Sequence, residues 1–196
     1  MKYVLTHYSG DWTWVKDYTD DFLIYNRSEE HIPGAIPREN IGDADYDKLA
    51  YLIDNYEELP EVFLWSKSNL FKFITPEEFD FVRENRTFTP LLTKTHKVYE
   101  PICRYTDGMY EEINNSWYLG SVPPRYVHSW AEWAAIFGLP NPDYIPFAPG
   151  GSYILTRDTV HKHPKELYER MRTMLPWSVR PGEAQLAERS YYLLWN

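Results

Sequence analysis

The 196-residue chain carries a formal charge of −9, which argues against a nucleic-acid backbone as the main partner because such binding relies on clustered Lys and Arg, though it leaves room for a local basic pocket holding a diphosphate. At 43% hydrophobic and 17% aromatic residues, with 8 Trp and 17 Tyr, the sequence is not disordered, and its length suffices for one domain with a real core. One cysteine, Cys103, excludes an internal disulfide and fits a reducing compartment, nothing beside it suggests an activated nucleophile, and no apolar run approaches the ~20 residues of a membrane span. The aromatic excess reads either as a core packed with large rings or as rings that stack on sugars or bases; composition does not separate the two.

Along the chain, Lys2 to Tyr8 is expected as a first strand, ended by the turn Ser9-Gly10-Asp11. The opening Met1-Lys2-Tyr3-Val4-Leu5-Thr6-His7 reads as a strand and not as a signal peptide, which would need a longer apolar core, so a soluble cytoplasmic protein is expected. Trp12 to Tyr18 fits a short helix, and Phe22 to Asn26 fits a second strand, short and β-prone. A loop punctuated by Pro33, Gly34 and Pro37 leads into Arg38-Glu39-Asn40-Ile41-Gly42-Asp43. Asp45 to Glu58 is the clearest helix, with Tyr46, Leu49, Leu52, Ile53 and Tyr56 on one face, Asp43 or Asp45 as N-cap, and Leu59-Pro60 as its end.

Glu61 to Trp65 then reads as a buried strand, closing a strand–helix–strand unit that should be parallel and right-handed. This rhythm predicts an α/β fold, in which a central, mostly parallel sheet is flanked by helices. From Lys67 to Leu139 the pattern is less regular, with a helix start at Thr75-Pro76 and a short helix at Trp130 to Phe137. No repeat, low-complexity tract or domain boundary interrupts residues 1–196.

The most informative stretch is Pro149-Gly150-Gly151-Ser152-Tyr153-Ile154-Leu155-Thr156-Arg157-Asp158. Two glycines before a strand let the backbone approach a neighbour closely. Thr156 or Asp158 is placed to cap a following helical segment, from about His161 to Met174, whose first amides could face an anion. In an open α/β sheet, ligands bind outside the carboxyl ends of parallel strands. That rule selects Thr6-His7-Tyr8-Ser9, Tyr25-Asn26-Arg27, Ser66-Lys67-Ser68 and the approach to Gly150-Gly151, each polar beside an apolar strand.

The Gly150-Gly151 segment resembles the Gly-Gly-x-Tyr-x-Leu-Ser-Arg pattern of fringe-type and galactosyl-transferring GT-A glycosyltransferases. A wider resemblance rests on Asn40-Ile41-Gly42, Leu49, Ile53, Tyr56, Leu59-Pro60 and Val62-Phe63-Leu64, then Thr156-Arg157, His163-Pro164 with Tyr168, and Glu188-Arg189-Ser190-Tyr191. In this the chain is similar to a domain family common in fungi, and to the small capsid-modifying glycosyltransferase domain of chlorella viruses. The resemblance implies one GT-A-like domain over 1–196 that moves a sugar from a nucleotide donor, UDP-linked by preference, to a hydroxyl on a glycan or glycoprotein. Its setting would be the cytoplasm, or the host's cytoplasm for a viral protein.

The same resemblance implies roles for individual residues. Thr6, His7, Tyr8 and Ser9 would hold the base and ribose, with Tyr8 available for stacking. Arg38, Asn40 and Asp45 would border the ribose or donor sugar, beside Gly150 and Gly151. GT-A enzymes usually carry an Asp-x-Asp after the strand matching Val62 to Trp65, where it grips Mn or Mg; here Ser66-Lys67-Ser68 stands instead. A serine pair substitutes poorly for carboxylates. Either Asp43 or Asp45 holds the divalent cation with the diphosphate oxygens, or Lys67 neutralises the leaving group as a point charge. If the transfer inverts configuration, a carboxylate must take the acceptor proton, with Glu188 the first candidate and Glu183 the second; His161 and His163 are candidates for contact with phosphate or metal. The alternative is a carbohydrate- or protein-binding module that kept the fold without catalysis. A hydrolase is disfavoured because neither a Gly-x-Ser-x-Gly elbow nor zinc-ligand spacing occurs.

Overall fold

The computed structural model describes residues 1–93 and 96–196. Strand β1 (Lys2–His7) is the centre of the parallel half, hydrogen-bonded to β2 (Phe22–Asn26) on one side and to β4 (Val62–Lys67) on the other. A two-residue β3 (Ile36–Pro37) extends the parallel run beside β2. Helix α1 (Asp43–Asp54) is the crossover between β2 and β4, which both run parallel to β1. Beyond β4 lie β5 (Thr89–Pro90) and β9 (Tyr153–Thr156), giving a mixed sheet of order β3-β2-β1-β4-β9-β5 in which β9 runs antiparallel to both neighbours. The fold is α/β with a mixed, mostly parallel sheet flanked by helices, as the strand–helix rhythm predicts.

Alternation along the strands sets the two faces of this sheet. Val4, Tyr25, Phe63, Trp65, Tyr153 and Leu155 pack into one core with α1 and with α7 (Gly182–Trp195). Tyr3, Leu5, Ile24, Val62, Leu64 and Ile154 pack into a second core with Trp14, Leu70 and Phe79. With both faces covered, β1 and β4 read as continuous apolar runs and not as alternating ones. A second sheet, β6 (Cys103–Thr106), β7 (Met109–Ile113) and β8 (Tyr144–Pro146), is antiparallel and joined to α7 by the buried pair of Glu112 and Arg189.

Local expectations hold at several boundaries. Thr75 and Glu78 form a reciprocal capping box on α2 (Pro76–Val82). Helix α3 (Trp117–Ser121) is short, and α4 (Trp130–Phe137) matches its expected bounds. Three expectations need correction. Trp12 to Tyr18 contains a 3-10 helix, Thr13–Asp17. Helix α1 is not capped by a carboxylate: Gly42 is its left-handed N-cap residue, and Asp43 Oδ1 accepts the Ala44 amide. The segment after β9 is two helices, α5 (Arg157–Val160) and α6 (Lys165–Thr173), interrupted before Pro164, whose ring cannot continue a helix.

Candidate functional site

The apolar pattern of the parallel strands gives way to polar residues where the strands leave the core. On the face covered by α1 and α7, Val4 is followed by Thr6, and Trp65 by Lys67. Thr6 and Lys67 are register partners on adjacent strands, so their side chains stand side by side. The ladder continues past the strand ends, with Ser68 N donating to Thr6 O (2.9 Å) and Arg27 N donating to His7 O (2.8 Å). These ends floor a cleft of about 440 Å³, lined by Thr6 to Ser9 from β1, Arg27 after β2, and Lys67 to Asn69 after β4. Asn40, Asp43 and Ala44 close it from the start of α1, and Val179 and Arg180 from the loop before α7.

Two backbone hydrogen bonds hold that wall: Gly42 N donates to Ser178 O (2.8 Å) and Asp43 N to Val179 O (2.9 Å). Gly42 and Asp43 both have positive φ, 74° and 54°. A Cβ on Gly42 would lie 2.6 Å from Tyr46 Cβ, so the turn requires glycine there. The turn brings Arg180 Nε within 3.6 Å of Asp43 Oδ2.

A second cleft, of about 420 Å³, shares Asp43, Lys67 and Arg180 with the first and runs toward the small sheet. Its walls include the rings of Phe73, Tyr99, Trp117 and Phe147; Tyr99 is 58% and Trp117 56% exposed. Glu188 stands at the junction, its Oε2 3.2 Å from Lys67 Nζ and its Oε1 accepting the Gly150 amide at 3.3 Å.

Antiparallel β9 explains why Gly150-Gly151 reaches this point. Tyr153 pairs with Trp65, so the residues before β9 arrive at the carboxyl end of β4. Thr156 pairs with Val62, so α5 lies at the opposite end of the sheet. The anion expected at the start of that helix therefore has no place in this site, and the Thr156 hydroxyl already accepts the Thr159 amide (3.0 Å). The glycine pair is required by packing: Gly150 has φ 89°, and a Cβ there would lie 2.6 Å from the Phe73 ring.

Lys48 on α1 anchors the same loop. Its ammonium lies over the Trp65 ring, 4.6 Å from the centroid, and donates to the Gly151 carbonyl. Burial lowers its pKa to about 8 against the pull of Asp45, and burial raises Asp45 to about 6 against Lys48 and Lys67. Burial alone would raise Glu188, but Lys67, Arg189 and Lys48 hold it below the ordinary carboxylate range. Lys67 is shifted upward: burial opposes its charge, and Glu188, Asp43 and Asp45 more than restore it. Asp43 is likewise held low, with burial outweighed by Lys67, the Ala44 amide, Arg27 and Arg180. Lys67, Glu188 and Asp43 are thus all charged at neutral pH.

Of the residues marked from sequence, Thr6, His7, Tyr8, Ser9, Asn40, Asp43, Lys67 and Ser68 line the first cleft, while Gly150 and Glu188 line the second. Tyr8 is 60% exposed in the first cleft, free to lie against a planar group. The others lie elsewhere. Arg38 stacks on Tyr25 and faces Asp47, with Nε 3.5 Å from Asp47 Oδ1. Asp45 is buried and accepts the Tyr191 hydroxyl at 2.9 Å. Ser66 bonds Ser152 Oγ at 2.9 Å beneath the floor. Gly151 contributes its carbonyl to Lys48 and not to either cleft.

Glu183 is displaced from the chemistry: it is fully buried, with Oε1 accepting the Arg125 and Tyr126 amides (both 2.7 Å) and Oε2 the Trp177 indole (2.9 Å). Three donors on one carboxylate make it a clamp between α7 and two loops, and it lines neither cleft. His161 and His163 also stand apart. Each ring pins a backbone carbonyl, of Tyr56 and Leu194 respectively.

Sequence reasoning missed Lys48, Arg180 and the Arg27–Asp47 pair (3.3 Å). Lys48 and Asp47 occupy the face of α1 that periodicity assigns to solvent, yet Lys48 is buried against Trp65 and the Gly150-Gly151 loop and Asp47 against Arg27 and Arg38.

The divalent cation implied by the GT-A resemblance does not suit these residues. Of the two proposed ligands, Asp45 is turned away onto Tyr191 and lines neither cleft, leaving Asp43 alone. Lys67 Nζ pairs with Glu188 at 3.2 Å and is also acted on by the charges of Asp43 and Asp45, so it already balances the carboxylates a dication would need. Among the described residues, no group of three or more His, Cys, Asp or Glu is placed to hold a metal ion, and no helix is long and apolar enough to cross a membrane.

No curated protein matches the chain, and no solved structure does. One family model, described as a protein of unknown function (DUF3431), matches residues 4–195, and the chain belongs to that family.

Proposed function

We propose that the protein is a glycosyltransferase that moves a sugar from a nucleotide-sugar donor, a uridine diphosphate sugar first among the candidates, to a hydroxyl on a glycan or glycoprotein. The observation carrying this reading is the pair of clefts that meet at Lys67, Asp43 and Arg180, with Glu188 at the junction. The first, polar and at the carboxyl ends of the parallel strands, suits a nucleotide diphosphate. The second, walled in part by the exposed rings of Tyr99 and Trp117, suits the apolar face of an acceptor sugar.

In the transfer, the bond from the sugar's anomeric carbon to the phosphate oxygen breaks and a bond to the acceptor oxygen forms. The acceptor proton passes to the ionised Glu188 carboxylate, and the released diphosphate carries away its charge against Lys67 and Arg180. Glu188 starts in the state a base requires, and its basicity rises when the Lys67 ammonium turns from it toward phosphate.

A binding module is favoured by one observation, Ser66-Lys67-Ser68 standing where the resemblance places carboxylates. The two readings separate in one experiment. The purified chain is titrated calorimetrically with UDP, GDP and CMP, with and without Mn²⁺, then assayed for nucleotide release from the matching nucleotide sugars in the presence of oligosaccharide acceptors. Nucleotide binding followed by acceptor-dependent release supports transfer. Acceptor binding with no nucleotide affinity in either buffer replaces it with the binding module.

A further inference from the structure

We propose that the first cleft binds a diphosphate group directly, through the Lys67 ammonium, the Arg180 guanidinium and the Thr6 hydroxyl, with no divalent cation between protein and phosphate. The identity of what the diphosphate carries rests on the nucleotide-sugar reading; the binding itself does not.

Three observations meet here. Lys67, its side chain 22% exposed, is at the point the two clefts share, and its ion pair with Glu188 at 3.2 Å uses one of the three ammonium donors. Arg180 is 69% exposed at the opposite wall and held only loosely by Asp43, at 3.6 Å. The third observation is independent of charge. Thr6 is 4% exposed, lines the cleft beside Lys67, and its Oγ1 has no hydrogen-bond partner among the described residues. A buried hydroxyl without a partner is costly, and a phosphate oxygen in the cleft would supply the missing one.

Charge balance selects an anion over a cation. Asp43 and Glu188 are the carboxylates facing Lys67 across the cleft junction. A dication seated between them would have to displace the ammonium or sit against it. A diphosphate meets the opposite situation, with Lys67 and Arg180 offering donors from two walls and Asp43 left to accept a hydroxyl of the attached group.

The test is calorimetric titration of the whole chain with inorganic pyrophosphate and with UDP, first in EDTA and then with Mn²⁺ or Mg²⁺ added. Both ligands are expected to bind in EDTA, with affinity changed by less than about threefold on adding either ion. Lys67→Met should weaken binding by at least about tenfold, the loss expected for a hydrogen bond to a charged group. Arg180→Ala, at an exposed position, should weaken it by a few fold while leaving the unfolding temperature unchanged. Thr6→Val should also weaken it by a few fold, with an unfolding temperature equal to or above the parent's, because it removes an unpartnered hydroxyl at constant volume. Should Lys67→Met fail to fold, the other two variants decide. Parent-like affinity in both would overturn the assignment. Binding that appears only with Mn²⁺ or Mg²⁺ would overturn it in favour of a metal site and leave the transferase reading standing. No binding of either ligand in any buffer would overturn both.

Discussion

Neighbouring residues of α7 carry two ion pairs of opposite character. Arg189 reaches Glu112 at 2.7 Å with both side chains 2% exposed, its guanidinium 3.9 Å from the Tyr118 ring centroid and 4.6 Å from that of Phe147. The other Glu112 oxygen accepts the Ser116 hydroxyl, and Arg189 also donates to Gln185 O at 3.0 Å. Glu188 reaches Lys67 at 3.2 Å with 11% and 22% exposure, and that pair opens onto both clefts. The first pair joins the small sheet to α7 from the wall of the second cleft, with Arg189 Nε left without a partner among the described residues. The second keeps donors and a lone pair available. The more buried pair is mainly architecture, whereas the more exposed one can exchange its partner for a ligand.

Glu188→Gln is the sharpest way to break this contrast. It retains the shape and an acceptor for the Gly150 amide but removes the base. Turnover of the preferred nucleotide sugar should fall by about 10²- to 10⁴-fold, while calorimetric nucleotide affinity stays within a few fold of the parent's. Unchanged turnover would remove Glu188 from the mechanism.

Glu112→Ala acts on the more buried pair and should act on the fold. Leaving Arg189 buried without its carboxylate is expected to cost about 3–5 kcal/mol in chemical denaturation. A loss below about 1 kcal/mol would mean that Arg189 finds water in the second cleft, and the pair would no longer be mainly architectural.

A smaller effect separates the two networks by pH. Asp45 has its pKa raised to about 6, above the unfolded value near 4. Between these values the folded state binds more protons than the unfolded state, so this group's contribution to stability falls as pH rises from 4 to 6. Lys48, lowered to about 8, gives the opposite sign, with stability rising between about pH 8 and 10. Asp45→Asn should therefore gain on the parent by about 1–3 kcal/mol between pH 4 and 6.5 in urea titrations. A constant difference across that range would show that Asp45 is not protonated in the native state.

The smallest effect is expected at the far end of the sheet. Arg157→Ala removes a 2.6 Å hydrogen bond from Nε to Leu59 O and should cost about 1 kcal/mol of stability. Nucleotide affinity should not move, because α5 lies at the end of β4 away from both clefts. A loss of affinity would place the ligand elsewhere than at the carboxyl strand ends.

Much of this arrangement was legible in the residues. The apolar runs of Lys2–His7, Phe22–Asn26 and Val62–Lys67 are set by side-chain hydrophobicity with no help from distant contacts, and the crossover helix by its 3.6-residue period. The rule that ligands sit outside the carboxyl ends of parallel strands then gathered Thr6 to Ser9, Lys67 and Ser68 before any contact was seen. Glu188 and Glu183 could not be told apart in that way, since both are glutamates of one helix. One opens onto a cleft and the other is closed by three donors from outside the helix.

The elements, their order and the polar strand ends follow from short stretches of residues, because periodicity and turn chemistry are local. The tertiary structure alone decided which charges are buried and which are paired. Lys48 and Asp47 look solvent-facing on α1 until Trp65 and the Gly150-Gly151 loop close on one and Arg27 and Arg38 on the other, and Gly150 meets Glu188 only because β9 enters the sheet antiparallel. Burial, electrostatics and the meeting of two clefts are properties of residues far apart in the chain, and no local pattern encodes the distance between them.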